Sequence, residues 1–188
     1  NLVLCAFGER TGTVKETPIL VLSGPVGVGK TTVGEEVSEI LESEYVPHTL
    51  IDFDQPRYTY PRIPEDPWGN GLAFQNFAAI WENCKRRGAK NLVVPTVVED
   101  QGFVDQLSST IPDSTVLVFQ LFASPATLRT RVEKREIGSG LEWHRNRALE
   151  LLEILSGHSV PCDARIETES KSISDIAAEI VRRVNWST

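Results

Sequence analysis

The sequence predicts an α/β fold: one doubly wound domain of three layers, with a mainly parallel five-stranded sheet held between helices. Two observations carry this. Short apolar runs alternate with segments of helical hydrophobic period along most of the chain, the pattern of strand–helix–strand units. The first run, "PILVL", passes straight into "SGPVGVGK", a glycine-rich turn that feeds a helix. A length of 188 residues suits a single core better than two.

Taken in order, "PILVLSG" is the first strand, and a helix runs from about Lys30 to Glu44 with Val33, Val37, Ile40 and Leu41 at helical spacing. "HTLIDFD" is a short second strand. "QPRYTYPRIPEDPWGNG" reads as a surface loop, because proline, glycine and aromatic residues crowd it, with "WGNG" as its hinge. "AFQNFAAIWENCKRRG" sets Phe74, Phe77, Ile80, Trp81 and Cys84 on one helical face, and Gly88 stops the helix. "NLVVPTVV" is the third strand, in which Pro95 removes a ladder donor and predicts a bulge or irregular pairing. "EDQGFVDQLSSTI" is a short helix and "STVLVFQLFA" a buried strand. Residues 125–135 are helical and basic, "EIGSG" interrupts them, and "LEWHRNRALELLEILSG" resumes the period. "ARIETE" is the last strand, and "SISDIAAEIVRRVNW" a closing helix capped by Ser172 or Ser174. Residues 1–16 are expected to form an N-terminal extension, residues 17–188 the single domain, and residues 125–148 a helical lid that flexes at residues 138–140.

Composition excludes several classes. Hydrophobic residues make up 40% and charged residues 24%, as in ordinary globular domains, and no apolar run approaches the roughly 20 residues that span a bilayer. A net charge of -7 disfavours a nucleic-acid partner. Cys5, Cys84 and Cys162 show neither a zinc spacing nor a disulfide framework, which fits a reducing cytoplasm.

The chemistry concentrates in residues 24–31. Gly24, Pro25, Val26, Gly27, Val28, Gly29, Lys30 and Thr31 satisfy G-x-x-x-x-G-K-[ST] between a predicted strand and a predicted helix. In such a loop the glycines let backbone N–H groups converge on phosphate oxygens, and the helix N-terminus adds its dipole. Lys30 would reach the outer phosphates and Thr31 would hold Mg²⁺, with Thr32 adding a phosphate contact. The competing reading, a glycine turn that only packs tightly, has little weight for a full motif in this setting. The ligand is therefore expected to be a nucleotide. No Asn-Lys-x-Asp base-reading motif marks a guanine switch protein, and "DPWG" at residues 66–69 falls in a proline-rich loop.

With these motifs the chain resembles the P-loop small-molecule and nucleotide kinases, among them adenylylsulfate kinase and the chloramphenicol phosphotransferase and gluconate kinase-like enzymes. The resemblance runs from about Pro18 to the end and implies a P-loop kinase fold using ATP and Mg²⁺. In adenylylsulfate kinase the second strand ends in Asp-Gly-Asp-Asn-x-Arg. The sequence Asp52-Phe53-Asp54-Gln55-Pro56-Arg57 is similar, with Phe53 in place of glycine and Gln55 in place of asparagine. On the residues alone, alternation along a strand lets Asp52 and Asp54 point together from its carboxyl end, where open α/β sheets bind ligands. One of them would take the acceptor's proton or hold Mg²⁺ through water, and the resemblance favours Asp54 for the substrate side. A solvated strand end is the plainer alternative.

Arg57 and Arg62, interleaved with Tyr58, Tyr60 and Trp68, would grip an anionic or aromatic acceptor. Equally, the aromatics would simply cover the core. "LRTRVEKRE" resembles the lid of these kinases, whose arginines contact ATP phosphates. Arg135 is the first lid candidate and Arg131 the second, four residues apart on one face, while Arg129 points elsewhere; pairing with Glu133 and Glu136 is the alternative. His144 lies on the following helix and is more often packed than catalytic. By analogy, residues 167–170, including Thr168, would pass near adenine.

The sequence thus predicts an ATP-dependent kinase that transfers the γ-phosphate to a hydroxyl of a small metabolite, with adenylylsulfate the leading acceptor. Its rivals are a nucleoside monophosphate kinase and a non-catalytic nucleotide-binding regulatory module. The expected partners are ATP and a small-molecule acceptor, with no membrane, in a monomer or homodimer.

Overall fold

The computed structural model describes residues 16–135, 141–157 and 160–186. The expected extension at residues 1–16 and the break at residues 138–140 lie outside the described residues, apart from Glu16. Five strands form one sheet: β1 (Thr17–Ser23), β2 (His48–Leu50), β3 (Asn91–Pro95), β4 (Ser114–Phe122) and β5 (Ala164–Glu167). Six α-helices connect and follow them: α1 (Lys30–Ser43), α2 (Asn70–Lys85), α3 (Gln101–Thr110), α4 (Pro125–Arg135), α5 (Leu141–Leu155) and α6 (Ile173–Val184). The strand order is β2-β3-β1-β4-β5, and every pairing is parallel. Among the described residues no helix is long and apolar enough to cross a membrane.

The order explains why β1 is apolar throughout. It lies at the centre, flanked by β3 and β4, and Ile19, Leu20, Val21 and Leu22 are all fully buried. Alternation along it divides the core into two layers. Leu20 and Leu22 pack with Val33, Val37 and Leu41 of α1 and with Ile176 and Ile180 of α6. Ile19 and Val21 face the other side, with Phe74, Phe77 and Trp81 of α2 and Leu107 of α3. Helix α1 can approach the sheet because residue 34 is glycine: a Cβ there would lie 2.8 Å from Pro95 Cγ and 3.2 Å from Leu50 Cδ1.

Two local expectations change and a third is narrowed to one of its alternatives. Pairing stays in register up to Pro95, opposite Leu22, so the proline ends β3 without a bulge. Ile80 is exposed while Phe74, Phe77 and Trp81 are buried, so the apolar face of α2 is narrower than its sequence suggested. Ser172 caps α6 by accepting from the Asp175 N–H, whereas the Ser174 hydroxyl donates to Glu36 of α1.

Candidate functional site

The phosphate-type loop leaves the carboxyl end of β1. Gly24, Gly27 and Gly29 have φ of 150°, 84° and 101°, conformations that side chains disfavour. At Gly24 a Cβ would also stand 2.5 Å from the Leu121 carbonyl oxygen of β4. Val28 anchors the loop by burying its side chain in the core, Val26 is half-buried, and Thr32 is exposed in the first turn of α1. Lys30 bends back over the loop, its Nζ donating to the carbonyls of Gly24 at 2.9 Å and Pro25 at 3.2 Å.

The N-terminus of α1 differs from those of its neighbours. Gly29 caps it, as Gly69 caps α2, with no side-chain hydrogen bond, and no acidic residue sits in the first turn. By contrast, Asp66 accepts from the Leu72 N–H at α2, Asp100 from Phe103 at α3, Ser124 from Thr127 at α4 and Ser172 from Asp175 at α6. Among the described residues, the amides and dipole at the start of α1 are thus not satisfied by any side-chain cap, as an anion site requires.

Beyond Leu50 the second strand keeps two ladder-like bonds, from Ile51 N–H to Val93 O at 3.0 Å and from Phe53 N–H to Pro95 O at 3.1 Å. Phe53 is fully buried against Phe74, Phe77 and Phe103, with ring centroids 4.7, 5.4 and 5.1 Å away. Burying Phe53 leaves Asp52 on the opposite side, where its Oδ2 accepts from Thr31 Oγ1 at 2.8 Å. The chain then turns. Asp54 has helical φ and ψ at the start of a 3-10 turn, Gln55–Arg57, so it does not share a strand face with Asp52 as alternation had predicted. Its side chain is ion-paired with Arg57, and its N–H donates to Asp52 Oδ1 at 3.0 Å. The two carboxylates are therefore joined through the backbone while their side chains serve different partners.

The arginines are committed as well. Arg57, beyond its pair with Asp54, donates to Asn70 Oδ1 at 3.4 Å, and Arg62 donates to the Pro67 carbonyl at 3.3 Å. Tyr58 is exposed rather than packed over the core. Arg131 is a strut: it donates to the Val28 carbonyl at 3.3 Å and to the hydroxyl and carbonyl of Thr168 at 3.0 and 2.7 Å. It thus joins the glycine loop to the turn after β5. Arg135 ends α4, and its side chain lies outside the described residues. Arg129 lines a cleft of about 240 Å³ between α4 and α5, beside Glu142 and Arg145.

Two linkages had no sequence signal. Glu169, after β5, accepts from the Ser124 N–H at 2.8 Å. The Ser124 and Thr127 hydroxyls, the Ser124 N–H and nearby Arg131 hold its carboxyl below the ordinary value. Glu99, beyond β3, is ion-paired with Arg147 of α5. Burial works against the charge of Arg147, but Glu150 and Glu99 outweigh it and leave its pKa raised. Neither pair has a short-range pattern, since the partners stand 45 and 48 residues apart.

No protein-family model matches the sequence, and no curated protein sequence does. Solved structures do match in shape. The tunicamycin resistance protein of Deinococcus radiodurans superposes with a TM-score of 0.62 at 21% identity, over 92% of this chain and 98% of that one. A gluconokinase from Sinorhizobium meliloti gives 0.58 at 17%, over 90% and 96%. The shikimate kinase of Acinetobacter baumannii, in complex with shikimate, gives 0.51 at 18%, over 90% and 93%. At these identities the likeness concerns architecture: the chain has the fold found in P-loop small-molecule kinases.

Proposed function

We propose that the chain is an ATP- and Mg²⁺-dependent kinase that transfers the γ-phosphate to a hydroxyl of a small metabolite. The observation that carries the reading is the pairing of an uncapped α1 N-terminus, bearing Lys30, with the Thr31–Asp52 hydrogen bond beside it. The loop amides and Lys30 would hold the β- and γ-phosphates. Thr31 and Asp52 would hold Mg²⁺ together with nucleotide oxygens, in keeping with an ion that seldom uses an all-protein cage. Bound there, the metal would neutralise charge on the phosphates.

The acceptor oxygen would bond to the γ-phosphorus as the bond to the β–γ bridging oxygen breaks and ADP departs. The hydroxyl proton would pass to Asp54, which lies two residues beyond the metal-side Asp52. Arg131 and Thr168 would steady the nucleotide's far end, with Arg135 as the lid cation over the transferring group. Catalysis in this scheme is mainly positioning and electrostatics. The fold shared with a gluconokinase and a shikimate kinase supports a small-molecule acceptor. The similarity of residues 52–57 to adenylylsulfate kinase suggests adenylylsulfate. Arg57, the matching basic residue, is spent on Asp54, which weighs against it.

The test is transfer of labelled γ-phosphate from Mg-ATP to a hydroxyl panel, alongside calorimetric ATP binding. Acceptor-dependent transfer that Lys30→Ala and Asp54→Asn both abolish is the expected result. ATP binding with no transfer to any acceptor would favour the regulatory-module reading instead.

A further inference from the structure

The loop between Asp54 and α2 has an unusual division of labour. Among the described residues, half of the large apolar side chains left exposed lie in it: Tyr58 is 73% exposed, Tyr60 94%, Ile63 57% and Trp68 69%. A loop whose aromatics served the core would bury them. Meanwhile four of its charged side chains are engaged internally: Arg57 with Asp54 and Asn70, Arg62 with Pro67 and Asp66 with the first turn of α2.

The loop is also pinned. Asn76 of α2 donates to the Pro56 carbonyl at 2.9 Å, and the Asp66 and Gly69 N–H groups donate to Ile63 and Asp66 carbonyls, each at 3.1 Å. Gly69 lies against the Arg57 backbone, where a Cβ would stand 2.8 Å from the Arg57 carbonyl oxygen. That contact holds together residues 57 and 69, the chain neighbours of Tyr58 and Trp68. The loop starts two residues beyond Asp52, the partner of Thr31. Exposed rings on a pinned loop that leaves the proposed transfer site suit recognition, since unpartnered apolar patches mark binding sites and Tyr and Trp stack on flat apolar faces.

We infer that the acceptor is an uncharged hydroxyl compound with an apolar or aromatic face, which Tyr58, Tyr60 and Trp68 bind. This rests on the kinase reading above and narrows its substrate class. Loop charge agrees: Asp54, Glu65 and Asp66 outnumber Arg57 and Arg62, so an anionic acceptor gains no net attraction here.

The experiment uses four probes that separate ring from charge: phenyl β-D-glucoside, phenyl β-D-glucuronide, D-glucose and D-gluconate, extended with uncharged aryl alcohols and their carboxylated counterparts. Binding is measured by calorimetry in the presence of a non-hydrolysable ATP analogue, and transfer separately with labelled ATP. The expected result is that uncharged ring-bearing probes bind best. Tyr58→Ser/Trp68→Ser should weaken them about tenfold while ATP affinity stays unchanged. Preference for the anionic probes, indifference of ring binding to the double variant, or absence of binding by the uncharged ring compounds would each overturn the inference. A change of oligomeric state in the variant without a change in probe affinity would do so too, assigning the rings to a protein contact. Failure of the kinase reading is seen separately, as probe binding without phosphate transfer.

Discussion

The glycine loop at residues 24–31 and the aromatic loop at residues 54–69 present opposite chemistry on the same side of the molecule. At the first, the backbone donors at the start of α1 have no side-chain cap, whereas the side chain of Val28 is buried. At the second, Asp54 pairs with Arg57 and Asp66 holds the first turn of α2, while rings remain in solvent. A site for a polyanion needs unmet donors, because each amide already bonded would have to be released before binding. A site for an apolar body needs unmet surface. The contrast teaches that unsatisfied groups of different kinds, more than residue types alone, separate the donor half of a transferase from its acceptor half.

The largest expected effect comes from striking the polar half. Lys30→Ala should lower phosphate transfer about 10²- to 10³-fold in kcat with little change in thermal stability. An equal loss in acceptor affinity alone would break the division between the two regions. Next is the ring between the aspartates. Phe53→Ala should cost roughly 3–5 kcal/mol, read as a lower urea midpoint at unchanged slope, since it empties a cluster shared by α2 and α3. Arg131→Ala should raise the KM for Mg-ATP about tenfold and leave the acceptor KM in place, because its hydrogen bonds run to Val28 and Thr168.

The smallest effect lies in the aromatic loop's own scaffold. The N–H of Leu72 holds the Asp66 carboxyl below its ordinary 3.8; burial opposes it, and the N–H groups of Gly71, Asn70 and Gly69 add to the lowering. A lowered folded pKa adds stability that is present above 3.8 and lost as pH falls through the folded value. Asp66→Asn should therefore melt slightly below wild type at neutral pH. The gap should close in acid as wild-type Asp66 is protonated, which thermal melts across pH would show.

Much of this was legible because it is written locally. The glycine spacing, the lysine and the hydroxyl occupy eight consecutive residues, and the strands and helices announce themselves by period. Asp52 and Asp54 could be found but not oriented. Phe53 was seen as a departure from a family pattern, while its burial, which decides where the aspartates point, depends on Phe74, Phe77 and Phe103 far along the chain. Arg131 was read as a second lid cation, but its bonds to Val28 and Thr168 had no sequence signal, because Thr168 is 37 residues away. Whether Tyr58 and Trp68 cover the core or face water is likewise a question of tertiary packing that loop composition leaves open.

The strand order carries a consequence for how the chain is made. The central strand, β1, is translated before both of its neighbours, and it pairs with β4 about a hundred residues downstream. At about 5–20 residues per second, Ile19–Leu22 would wait on the order of 5–20 s at the ribosome before both flanks exist. During that interval a four-residue apolar stretch with open edges on both sides is available to any other chain. Yield in a cell should thus depend on chaperone supply more than the finished domain's stability would suggest.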